Sequence, residues 1–174
     1  MLNSNHFSLF DLPVSFAIDL AQLNQRYRAM QGEVHPDRVA AGTPAERLRS
    51  MQLSTQVNEA YQTLKSPVAR ARYLLQLNGV DTQEETNTAM PAAFLMQQME
   101  WREAIEDAST TNDALALDAL LKQLRQAAGN LERDLHHSLD QSHDYLSAAE
   151  AVRKLRFLDK VHDEIEHAIE ALEQ

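Results

Sequence analysis

The chain has 174 residues, 24% of them charged, with 4 glycines, 5 prolines and no cysteine. That length supports one ordinary domain or two small ones, and the missing cysteines exclude disulfides, thiolate-held iron–sulfur clusters and a cysteine nucleophile. The net charge of −10 is uneven: residues 1–77 hold 6 acidic and 8 basic residues, residues 78–174 hold 20 and 8, which argues against general nucleic-acid binding and for two units that meet different partners.

Ala, Leu, Gln and Glu dominate and favour helix, and no alternating β-branched run supports a strand. The expectation is an all-α chain with one unit over residues 1–77, a linker over 78–90 and an acidic three-helix bundle over 91–174. A short opening, FSLFDLP at 7–13, precedes an amphipathic helix whose stripe is Leu20, Leu23, Tyr27, Met30 and Val34. Asp19 is its N-cap. Pro36 lacks an amide proton and turns His35 away from helical geometry, so this helix ends near Val34. Thr43, Pro44 and Glu46 form a capping box with proline at the first helical position. The helix they open has the apolar face Leu53, Val57, Ala60, Tyr61 and Leu64, and the two helices form an antiparallel pair around an exposed loop. Ser66-Pro67 starts a shorter helix that Asn78-Gly79 ends.

Residues 79–90 are polar and aperiodic. Pro91 then opens a helix in which Phe94, Trp101, Ile105 and Ala108 share the core face, with a break at STTND, residues 109–113. From Asp113 the stripe Leu117, Leu120, Leu121, Leu124, Ala128, Leu131, Leu135 and Leu139 holds its phase through Gly129 and predicts one helix to about Tyr145. The last helix carries Ala151, Leu155, Leu158, His162, Ile165, Ile169 and Leu172. Those alternating spacings of four and three make a bundle seam, and three such helices make a bundle. No run reaches the ~18 apolar residues of a membrane span. The start MLNSNHFSLF lacks the charged segment and apolar core of a signal peptide, so a cytoplasmic protein with no membrane or nucleic-acid partner is expected.

Three stretches stand out. His35-Pro36-Asp37 alone reads first as a helix stop. As a contact surface it offers a proline-stiffened loop, a carboxylate that takes charge-assisted hydrogen bonds and a directional ring nitrogen. Arg26 and Arg28 precede it on a helix free of acids from Leu20 to Gly32, and Arg38 follows it, a set suited to an acidic partner. In AFLMQQMEWREAIED, residues 93–107, a wheel that puts Phe94 at 0° leaves Leu95, Met96 and Met99 roughly 100–200° away, off the core face. Glu100, Glu103, Glu106 and Asp107 surround them. Pattern alone leaves open a partner surface, a helix buried on two sides or a self-association face. In VRKLRFLDK, residues 152–160, Phe157 lies off the seam among Arg153, Lys154 and Arg156, either a core flank or an exposed anchor.

The short opening, the acid-free helix, HPDR and the closing NEAYQTLKSP together resemble a J-domain, the module by which J-proteins engage Hsp70 chaperones. Val34 and Arg38 stand where many J-domains carry Tyr and Lys. With the acidic bundle, AFLMQQMEWRE and RKLRFLDK, nearly the whole chain resembles the HscB family of J-type co-chaperones in iron–sulfur cluster assembly. The resemblance implies that His35, Pro36, Asp37, Arg26, Arg28 and Arg38 meet the Hsp70-type chaperone HscA and stimulate its ATPase. It also implies that Leu95, Met96, Met99, Glu100, Arg102, Glu103 and Phe157 bind the scaffold IscU. It implies no catalytic residue, metal site or cofactor in this chain. Two other readings are a J-protein for a different client and a di-iron bundle enzyme built on Asp134-x-x-His137 and Glu164-x-x-His167.

Overall fold

A computed structural model describes residues 5–35, 37, 40–87 and 89–174. Its regular structure is helical, and the chain divides into two compact units, residues 1–77 and 78–174.

In the first unit, α1 (His6–Leu9), α2 (Leu20–Val34), α3 (Pro44–Lys65) and α4 (Pro67–Leu77) enclose Phe7, Phe10, Leu12, Phe16, Leu23, Val57, Ala60, Leu64 and Leu75. Burying one such Phe or Leu contributes roughly 1.5–3 kcal/mol of transfer free energy. The caps lie where local chemistry puts them. Asp19 accepts the Gln22 N–H, and Thr43 and Glu46 exchange the two bonds of a capping box ahead of Pro44.

The α2–α3 pair is clasped by side chains rather than by grease alone. The Tyr27 and Tyr61 rings stack with centroids 3.8 Å apart. The Tyr61 hydroxyl donates to Asn24 at 2.8 Å and the Tyr27 hydroxyl to Asn58 at 2.7 Å. The Ser50 hydroxyl donates to the Val34 carbonyl at 2.9 Å. These contacts run down one helix as they run up the other, which is antiparallel register. Leu20 and Leu53, expected on the buried faces, are instead exposed. Each sits a turn or more from the Tyr27–Tyr61 clasp.

In the second unit, α5 (Ala92–Thr110), α6 (Ala114–His136) and α7 (Tyr145–Glu173) pack mutually. Their shared core is Trp101, Ile105, Ala108, Leu117, Leu120, Leu124, Leu135, Leu139, Ala148, Val152, Leu155, Leu158, Val161 and Ile165. Three expectations are corrected here. The helix expected to reach Tyr145 ends at His136, widens into a π turn over His137–Gln141 and stops, with His143 left-handed at φ 52°. Leu135 and Leu139 both stay buried through the widening, so the apolar stripe runs unbroken while the backbone changes. Asp144 then caps α7, and its bonds from the Ser147 hydroxyl and N–H hold its carboxyl below the usual range.

The seam of α7 takes Val161, while His162 lies half-exposed with its ring nitrogens 3.5 Å from Glu166 and 3.9 Å from Asp163. Val161 stands three residues after Leu158 and four before Ile165, so a helix face accepts it as readily as His162, and the apolar side chain takes the buried place. Finally, the stretch 78–90 is not a slack linker. Thr82 is buried, its carbonyl accepts from Arg153 at 3.1 Å, and Glu84 lies 3.7 Å from Arg156. Residues 82–84 thus belong to the bundle.

His6 gives the first unit a pH dependence. Its ring stacks on Tyr73 with centroids 4.3 Å apart, and burial lowers its pKa below 6.5 against an opposing pull from Glu59. The folded chain therefore binds fewer protons here than the unfolded chain. The contribution is complete above pH 6.5 and falls as pH drops from 6.5 through the depressed value. Urea titrations between pH 7.5 and 5 should show His6→Phe losing less stability on acidification than the wild type.

Candidate functional site

Two exposed features lie in the two units. The first is the corner between α2 and α3. Val34, the last residue of α2, is buried and held by Ser50, so the chain leaves the helix from a fixed point. The His35 side chain is 58% and that of Asp37 91% exposed. His35 Nδ1 accepts the Asp37 N–H at 3.2 Å and lies 3.4 Å from its carboxylate. In the neutral ring the proton is then on Nε2, which remains a donor for a partner. Pro36 and Arg38 lie outside the described residues. Arg28 is exposed and lines a shallow groove with Gln31, Gly32, His35 and Ser54.

Arg26 is corrected. Its guanidinium donates to the Phe10 carbonyl at 2.6 Å and also to the Asp11 carbonyl. Asp11 is left-handed at φ 53°, and Arg26 satisfies carbonyls that the end of α1 leaves open. Arg26 thus braces the unit, whereas Arg28 is exposed and lines the groove beside His35.

The second feature lies on α5. Trp101, Ile105 and Ala108 are buried against α6 and α7, as their spacing predicts. Gln98 is buried on the same face, a polar residue that hydrophobic patterning passes over. Leu95, Met96 and Met99 remain 42%, 63% and 70% exposed, so the alternative of a helix buried on two sides fails within this chain. Glu100, Arg102 and Glu103 are exposed beside them. Phe94 is half-buried rather than core. It lies in the first turn of α5, where its ring meets Phe157 edge-on with centroids 6.5 Å apart. Phe157 is half-exposed, so the apolar strip runs from α5 onto α7.

The residues of the di-iron motif do not converge on the bundle interior. Asp134, His137, Glu164 and His167 are all exposed. Among the described residues, the one cluster with metal-ligand chemistry is His162, Asp163 and Glu166 on the surface of α7. No described helix is long and apolar enough to cross a membrane.

A helical hairpin with His35 and Asp37 on its exposed corner, braced by short helices and followed by an acidic bundle, defines a two-unit J-protein. Residues 90–166 match the family described as the HSCB C-terminal oligomerisation domain. The chain is 53% identical over 173 residues, covering 99% of itself and 98% of its counterpart, to a co-chaperone protein HscB homolog of Burkholderia multivorans. Its fold is similar to the solved chaperone HscB from Vibrio cholerae, with TM-score 0.86, 37% identity and coverage of 97% and 99% of the two chains. It is also similar to the crystal structure of human co-chaperone protein HscB, with TM-score 0.88, 30% identity and coverage of 95% and 82%. The chain belongs to the HscB co-chaperone family, with a J-domain followed by a C-terminal helical bundle. It is a co-chaperone and not an enzyme.

The two arginines of α2 separate by experiment. Arg26→Ala should cost the first unit about 1–2 kcal/mol and speed hydrogen exchange in α1 and α2. Arg28→Ala should leave stability within ~0.5 kcal/mol. Equal losses of stability in both variants would contradict the division.

Proposed function

We propose that this chain is the adaptor of iron–sulfur cluster assembly that carries the scaffold IscU to the Hsp70-type chaperone HscA in the cytoplasm. The observation that carries the proposal is the strip Leu95, Met96 and Met99, left exposed while the opposite face of α5 is filled. Exposed apolar side chains rimmed by carboxylates suit a protein partner, and methionine repacks readily against one. Leu95, Met96, Met99 and Phe157 supply the apolar contact. Glu100 and Glu103, with Arg102 beside them, set its register through charge.

His35, Pro36 and Asp37 engage HscA from the other unit, with Arg28 and Arg38 as the flanking cations. Proline stiffens the corner, so less entropy is lost on docking. Holding scaffold and chaperone on one chain raises the local concentration of one at the other. Engagement of the corner favours the chaperone state poised for ATP hydrolysis. ATP and the iron–sulfur cluster are handled by the partners, and this chain supplies no bond-making group. A second reading, prompted by the description of the matching family as an oligomerisation domain, has the same strip pairing two copies of this chain.

Two variants test the division of labour. His35→Gln should abolish stimulation of HscA ATPase and leave IscU affinity unchanged. Leu95→Ala with Met96→Ala should weaken IscU binding by at least ~10-fold while a J-domain-only ATPase assay stays normal. Sedimentation of the wild type as a dimer that the double variant dissociates, with IscU affinity unmoved, would favour self-association.

A further inference from the structure

Four of the eight basic residues of the acidic second unit fall between Arg153 and Lys160. They gather at one place. Arg153, Arg156, Phe157 and Lys160 of α7 line a cleft of about 350 Å³ with Glu84, Glu85 and Asn87. Glu84, its side chain only 6% exposed, lies 3.7 Å from Arg156 and holds it at the mouth. Lys160 is exposed, its ammonium 5.6 Å from the centroid of Phe157. Lys154 sits 5.7 Å from the centroid of Phe94 and 3.3 Å from Glu150. The Phe94–Phe157 pair is therefore flanked by ammonium groups on the α7 side, while the strip it joins is flanked by Glu100 and Glu103 on the α5 side.

Resting on the scaffold-binding function above, we propose that the α7 flank is the cationic half of the docking surface and takes a carboxylate of the scaffold beside its apolar segment. The occupant follows from charge complementarity. A carboxylate there meets Lys160 and Arg156 in a unit whose excess of acidic residues, 20 against 8 basic, disfavours it over most of the remaining surface. Opposite charges on the two rims then allow one docking direction. A segment entering the other way round places its carboxylate against Glu100 and Glu103 and its cation against Lys160, and like charges disfavour that pose.

The test uses the full chain with IscU and a carbodiimide, which joins amines to carboxylates in direct contact. The expected product links Lys160 to an Asp or Glu of IscU in peptide mapping. Lys160→Arg should lose that link and keep its affinity, because the charge remains. Lys160→Glu should bind about 3–30-fold more weakly, with the deficit shrinking as salt rises. Its thermal unfolding should be unchanged, since Lys160 is exposed. Wild-type affinity in Lys160→Glu, or links only through Lys122, would overturn the cationic half while the adaptor function stands. No binding of IscU by the wild type would overturn both.

Discussion

An α-helix advances about 100° per residue, and α5 is bound by that rotation. Trp101, Ile105 and Ala108 are committed to the bundle, so the helix has no freedom left to turn Leu95, Met96 or Met99 inward. Their exposure is a consequence of the core and is not a local accident. The strip is held out at the energetic cost of unfolding the packing behind it. It is therefore presented in one conformation of the backbone, and the side chains that adapt are the unbranched methionines. Phe94 and Phe157 extend the strip across two helices, which gives it breadth that a single helix face lacks.

The same logic shapes the corner. A tripeptide loop in isolation samples many conformations, and its partner bears the ordering entropy. Here the α2 end is pinned. Val34 is buried and hydrogen-bonded to Ser50, and the Tyr27–Tyr61 stack with its two asparagine partners fixes α2 on α3. His35 directly follows the anchored Val34, and its ring accepts the Asp37 N–H. Val34 makes sense in this setting. A position filled by an inward-facing apolar residue anchors the corner from below.

Much of this was legible in the residues because much of it is local. Asp19 and the Thr43–Glu46 box are read within four positions of the backbone they cap, and a helical wheel needs only its own segment to place Trp101 opposite Met99. What was hidden depends on register between distant segments. Arg26 meets carbonyls 15 and 16 residues earlier, and Arg153 reaches Thr82 across 71 positions. No spacing rule encodes either contact. The π turn was hidden for another reason. It preserves the burial of Leu135 and Leu139, and burial periodicity is the signal on which the helix was read. His162 was misplaced because spacings of three and four between Leu158 and Ile165 admit either 161 or 162, and only packing against the neighbouring helices brings Val161 inward.

Charge distinguishes the two features. The first unit is near neutral, with exposed Arg28 beside the corner, whereas the second carries 20 acidic against 8 basic residues. A single partner complementary to one surface is mismatched to the other, so cross-binding is disfavoured before any apolar contact forms. Within the second unit the excess of carboxylates sharpens the role of the few cations. Arg153 and Arg156 are drawn onto Thr82 and Glu84, and that attraction fastens the 82–84 segment to α7 and shapes the cleft beside Phe157. One set of cations thus does two things, holding a polar segment to the bundle and setting the charge beside the aromatic end of the strip. Removing the segment's Glu84 would free Arg156 and alter the surface a partner meets, although Glu84 itself is nearly buried.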